Sequence, residues 1–292
     1  MVVYVQSRGL TQEHDYRWLR VNAKDQTPEI PIVLNETFFP SNIKIGELID
    51  HQKESIVLAR RSNDLLLLIT GLKAKQDRVD FAGRSVRNSL LWIKTKNDSN
   101  EKQVRSILLQ ALKGQLEAKL DDAVRVGGEY GFEVDYSKLK EIGNFTSETL
   151  QSHQNASDLL KVGQNSVELR EELALELISN CLPERQGLLV VVTSLKKEAD
   201  LKRIQVWRSL SSRVEFNEWQ EFRPSAINPT SQKKTKLILS IIAISIIVAT
   251  AIALFLIVQT PPPIQPIPDE EEISETAILL LPFLNKLIGI MS

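Results

Sequence analysis

The chain has 292 residues, with 36 basic and 37 acidic side chains, 42% hydrophobic content and 12 each of Gly and Pro. These figures exclude a collagen, a highly charged disordered chain and a polytopic transporter. One cysteine, Cys181, and three scattered histidines exclude an internal disulfide framework and a Cys-rich zinc module.

In chain order, short apolar runs predict strands over 2–6, 16–21 and 30–34. A hairpin pairs 55–61 with 65–70 across Ser62-Asn63-Asp64, and a β-rich run over 86–95 follows Gly83. The pattern then turns helical, with Asp98 and Glu101 at capping-box spacing and apolar residues from Val104 to Val124 at helical spacing. Gly127-Gly128 is expected to close that helix. Residues 143–166 are polar and are the expected loop or internal boundary. A second helix over 167–180 puts Leu169, Leu173, Leu177 and Cys181 on one face, and Pro183 ends it. The β-branched run over 188–194 predicts a fully buried central strand, with parallel pairing left open. Residues 195–214 begin as a helix. The fold class expected of residues 1–215 is α+β: a mixed, largely antiparallel sheet with packed helices. An echo links LLLITGLK at 66–73 with LVVVTSLK at 189–196, too short to establish a duplication.

Residues 216–236 lose periodicity and read as a juxtamembrane linker. From 237 to 258 come 22 residues without charge, Pro or Gly. As a helix they reach about 33 Å, enough to cross a hydrocarbon core of about 30 Å. Lys233, Lys234 and Lys236 abut the N-terminal end, whereas residues 259–292 hold one Lys against five acids, which predicts a single-pass topology with the N-terminal domain cytoplasmic. The N-terminal apolar run is too short for a signal peptide. Ser245, Ala249 and Ala253 recur every four residues, a small-residue stripe that favours helix pairing and hence a homo-oligomer. Five prolines between Pro261 and Pro268 and the acids after them make 259–276 an extended spacer. Residues 277–291 form a short amphipathic helix of about 22 Å, expected to lie at the membrane interface rather than to span.

The search for chemistry returns mostly absences. The chain carries no phosphate-binding loop of the Walker type, no Rossmann glycine pattern, no HExxH, no GxSxG and no calcium loop. His14, His51 and His153 have no second ligand at metal-site spacing, and Cys181 reads as a structural thiol. No cofactor and no metal is called for. The stretch from Lys73 to Arg87 is the most suggestive: Lys73, Arg78, Arg84 and Arg87 form a candidate anion site of guanidinium forks, to be weighed against an ordinary solvated loop. The near-neutral domain lacks the broad basic footprint of a nucleic-acid binder. The architecture leads to a membrane-anchored sensing, scaffolding or regulatory module whose partners are membrane lipid and a cytoplasmic protein or small ligand. Two alternatives remain at this level: a membrane-perturbing effector driven by clustering, and a membrane-tethered enzyme acting on a phosphorylated substrate.

Overall fold

Alternating apolar side chains along the first hundred residues put one set on each face of a large sheet. The computed structural model describes residues 2–38, 42–75, 78–143, 150 and 154–223. Strands β1 (Val2–Ser7), β2 (Arg17–Val21) and β3 (Gln26–Pro28) form a meander. Two 3-10 turns, Ile32–Leu34 and Ile45–Glu47, flank a small hairpin of β4 (Thr37–Phe38) and β5 (Ile43–Lys44). Hairpin strands β6 (Ser55–Arg61) and β7 (Asp64–Lys73) follow, and β8 (Arg87–Thr95) returns along β7. Next come α1 (Asp98–Leu112), α2 (Leu116–Ala123), the hairpin of β9 (Val124–Val126) and β10 (Phe132–Val134), and α3 (Tyr136–Gly143). The last part holds β11 (Gln154–Asn155), β12 (Leu160–Gln164), α4 (Val167–Ser179), β13 (Asn180–Cys181), β14 (Gly187–Lys197), α5 (Glu198–Ile204), β15 (Arg208–Arg213) and β16 (Gln220–Phe222).

Ten strands join in the order β16-β12-β15-β14-β6-β7-β8-β1-β2-β3. β12, β15 and β14 run parallel to one another, and every other neighbouring pair is antiparallel. The fold is therefore α+β on a mixed, mainly antiparallel sheet. Ile56, Leu58, Leu65, Leu67 and Ile69 point to one face, where Val104, Ile107, Leu108, Leu169 and Leu173 of α1 and α4 cover them. Val57, Ala59, Leu66 and Leu68 point to the other, under Ile45, Leu48, Leu201 and Ile204. Cover on both faces explains why β6 and β7 read as unbroken apolar runs, and each Leu so buried contributes about 1.5–3 kcal/mol.

Several expectations are corrected. Where a strand over 30–34 was expected, Ile32–Leu34 form a 3-10 turn after Pro31, and both Ile30 and Ile32 stay exposed. The long helix from 98 to 124 breaks at Gly114, whose φ of +67° is the left-handed conformation that ends a helix. The cap of α1 is Asn97, which accepts from the Asn100 N–H, rather than Asp98. Gly127-Gly128 lies in the β9–β10 turn and closes no helix. Cys181 belongs to β13, half-buried, and not to the apolar face of α4. Residues 160–164, expected in a loop, are a sheet strand beside β15, and β16 carries the sheet into the expected linker. Residues Met1–Ala226 form one compact unit.

The run over 237–258 with Ser245, Ala249 and Ala253, its flanking Lys233, Lys234 and Lys236, and the segments 259–276 and 277–291 lie outside the described residues. Among the described residues, no helix is long and apolar enough to cross a membrane.

Candidate functional site

The stretch from Lys73 to Arg87 is where the sequence concentrates guanidinium groups. β7 carries a bulge between Ile69 and Leu72, where Gly71 takes φ +75°, and the chain then folds back on itself. Val86 N–H bonds to the Arg78 carbonyl and Asp80 N–H to the Arg84 carbonyl, so this excursion is a hydrogen-bonded turn with Arg78 and Asp80 buried and residues 81–85 exposed. Its centre is the Asp80 carboxylate. It accepts the Ala82 and Arg84 N–H groups and the Arg84 Nε, all at 2.9 Å, and pairs with buried Arg8 at 2.9 Å. The Arg84 N–H, helped by the Arg84 guanidinium and the Ala82 N–H against the opposing effect of burial, holds the Asp80 carboxyl below the usual carboxylate range.

The three arginines of the candidate anion site have separate partners. Arg78 is buried and reaches Asp121 at 2.9 Å and the Ser7 hydroxyl at 3.2 Å. Arg84 belongs to Asp80, and the Arg87 guanidinium donates to the Gly71 carbonyl at 3.1 Å. The Lys73 side chain is exposed, and its backbone N–H donates to Glu117. Lys75 pairs with Asp122 at 2.7 Å. At Arg78 and Arg84 an incoming anion would have to displace these carboxylates. The geometry fits a tie between the end of β1, the β7–β8 turn and α2. Asp121, Asp122, Arg8 and Ser7 were not visible as members of it, because they stand far from the turn in sequence.

A second polar layer lies under α1 and α4. Arg105 is fully buried and donates to the carbonyls of Leu177 and Ile178, closing the C-terminal end of α4 as a cation should. Arg208 is buried on the ring of Trp207 at 4.1 Å, is paired through two nitrogens with Glu176, and donates to the Leu159 and Trp207 carbonyls. Arg60 differs: it is 1% exposed, none of its three guanidinium nitrogens has a hydrogen-bond acceptor, and its nearest carboxylates are Glu101 at 3.7 Å and Glu184 at 3.8 Å.

A cleft with a volume of about 750 Å³ lies between α4 and the corner joining α1 to α2. The corner exists because α1 stops at Gly114 and the chain turns into α2, while Ser166 caps α4 by accepting the Leu169 N–H. Buried Leu112 and Ala174 line it together with exposed Val167 and Leu175, and Lys113, Gln115, Asn165, Arg170 and Glu171 supply its polar edge. Arg170 is fixed by Glu54 at 2.7 Å and by Asn165. Such a surface offers apolar contact and a few orienting polar groups, with no nucleophile–base pair among its residues. Sequence reasoning missed it; the signal was Val167 and Leu175 placed off the apolar face of their helix.

Among the described residues, no group of His, Cys, Asp and Glu could hold a metal ion. His14 is packed against Gly9 and Gly131 and bonds Thr11, His51 is exposed, and His153 lies outside the described residues. The chain matches no protein-family model, and no curated protein or solved structure is significantly similar to it.

Proposed function

We propose that this chain is a membrane-anchored interaction module, with the sheet domain on the cytoplasmic side as its sensing or scaffolding part. The observation that carries the proposal is the run of 22 uncharged residues over 237–258, flanked by Lys233, Lys234 and Lys236 on one side and by an acidic tail on the other. The anchor fixes location and orientation. Binding falls to the domain, whose open cleft is lined by apolar side chains and lacks a grouped set of reacting residues.

Alkaline carbonate extraction tests the anchor. The intact chain is expected to stay with the membrane pellet, and a variant lacking 237–258 to appear in the supernatant; an intact chain released by carbonate refutes the anchor. The interaction half is tested with a photoreactive residue at Leu175, expected to give discrete crosslinked products in membranes. The same residue at Gly83, on an open turn, is the control. Products no different from the control remove the cleft from the reading.

A further inference from the structure

We propose that Arg60 and Lys96 form a binding site for the carboxylate of a small organic acid, and that the chain's own Glu184 fills this site until such a ligand displaces it. The site stands at the opposite end of α1 from the cleft beside α4. Four segments build it: the end of β6, the residue after β8, the first turn of α1 and the 182–186 connection into β14. Arg60 Nη1, at 3.8 Å, and the hydrogen-bonded Lys96 ammonium converge on one oxygen, Glu184 Oε2. A buried charge without a bonding partner is the first argument. Arg60 is 1% exposed and none of its three guanidinium nitrogens has an acceptor, whereas Arg208 holds a carboxylate and two carbonyls. Packing alone gives no reason for a cation at position 60, since an apolar side chain of similar volume avoids the desolvation.

Geometry makes Glu184 an exchangeable occupant. Its side chain is 74% exposed against 1% for Arg60, so the glutamate can swing into solvent without unpacking the core. The backbone around it stays tied. Leu182 N–H donates to Glu101 Oε1 at 2.7 Å, Arg185 to the Gln205 carbonyl at 2.9 Å, and the Gln186 amide to the Ser62 carbonyl at 3.2 Å. That tether is also why Glu184 serves Arg60 poorly, since 3.8 Å is longer than a hydrogen bond. An untethered carboxylate is free to approach to about 2.8 Å and to bond both cations. The Lys96 hydrogen bond, joined by the charge of Arg60 and opposed by burial, holds the Glu184 carboxyl below the usual carboxylate range. The corner thus favours an anion. The occupant names the ligand class: the space that a glutamate side chain vacates suits a carboxylate on a short carbon chain. Glu101, the other carboxylate near Arg60, is fixed by Leu182 and stays in place.

The test melts the intact chain in detergent micelles over a range of propionate, the glutamate side chain on its own, with chloride keeping the ionic strength constant. In Glu184→Ala, propionate is expected to raise Tm with an apparent affinity roughly tenfold or more tighter than in the natural chain. That gain corresponds to an internal occupant holding the site about nine-tenths of the time. Propionamide, the uncharged isostere, is expected to have no effect. Adding Arg60→Met or Lys96→Met to Glu184→Ala is expected to abolish the propionate response. Lys96 lies nearer the surface, with its side chain 31% exposed, so the result does not hang on the buried substitution. Glu13→Ala, at an exposed position in the β1–β2 turn at the other end of the sheet, makes the same charge change and is expected to gain nothing. Equal responses in Glu184→Ala and Glu13→Ala, or a response that survives the loss of Arg60 and of Lys96, overturn the proposal. A stronger response to inorganic phosphate than to propionate in Glu184→Ala overturns the assignment to a carboxylate.

Discussion

Replacing Arg60 with Met should cost little, although Arg60 is among the most deeply buried charges described. At 3.7 Å and an effective dielectric of about 20, the attraction to Glu101 amounts to roughly 4 kcal/mol. Glu184 adds less, because its side chain is 74% exposed and therefore screened by water. Against this stands the desolvation of a guanidinium with no hydrogen-bond acceptor on any of its three nitrogens, a penalty of several kcal/mol. The two nearly cancel, and Met fills most of the same volume. Glu101 loses the cation facing its Oε2 but is not left uncompensated, since its Oε1 keeps the Leu182 N–H at 2.7 Å and the Arg105 charge remains near it. The expected change in unfolding free energy lies within about 1 kcal/mol of zero, in either direction. Arg208→Met is the contrast: it breaks the pair with Glu176, strips the Leu159 and Trp207 carbonyls of a donor and removes the stacking on Trp207. About 3 kcal/mol or more should be lost there. Urea unfolding of the intact chain in detergent, followed by circular dichroism and by fluorescence of buried Trp92, measures both. Equal destabilisation by the two variants would falsify the reasoning, because it would require Arg60 to be as fully bonded as Arg208.

Gly71→Ala should destabilise by about 2 kcal/mol or more, as the added methyl strikes the Lys53 carbonyl, lies 2.9 Å from the Glu54 nitrogen and must adopt φ +75°. Gly83→Ala, with the same sign of φ but open space around it, should cost only about 1 kcal/mol in the same melts. Asp80 gives a pH dependence. Its folded carboxyl titrates below the unfolded one, so its contribution is complete above the unfolded value of about 4 and is lost as pH falls through the folded value. The intact chain should therefore lose stability on acidification from about pH 4 downward, and Asp80→Asn should flatten that slope; an unchanged slope in the variant would assign the acid sensitivity elsewhere.

Much of this protein was legible because its signals are local. Apolar runs over 55–61 and 65–70 on either side of Ser62-Asn63-Asp64 announced the β6–β7 hairpin, and Leu169, Leu173 and Leu177 at helical spacing announced α4, since neither signal needs knowledge of distant partners. The uncharged run over 237–258 is of the same kind: its length and lack of charge are properties of the sequence alone. Short elements were lost where one residue outweighed the pattern, as Gly114 did in dividing α1 from α2.

Tertiary structure decided what depends on separation. Residue type places Arg78 and Arg84 on a surface turn, but Arg78 meets Asp121 across 43 residues and Asp80 meets Arg8 across 72. No local pattern encodes such pairs, because a side chain's charge says nothing about which distant carboxylate neutralises it. The strand order is similar. β14 lies antiparallel to β6 and parallel to β15 because long-range burial of both sheet faces selects that arrangement. The cleft beside α4 arises in the same way, from two helix ends that share a boundary only after the chain between them has folded.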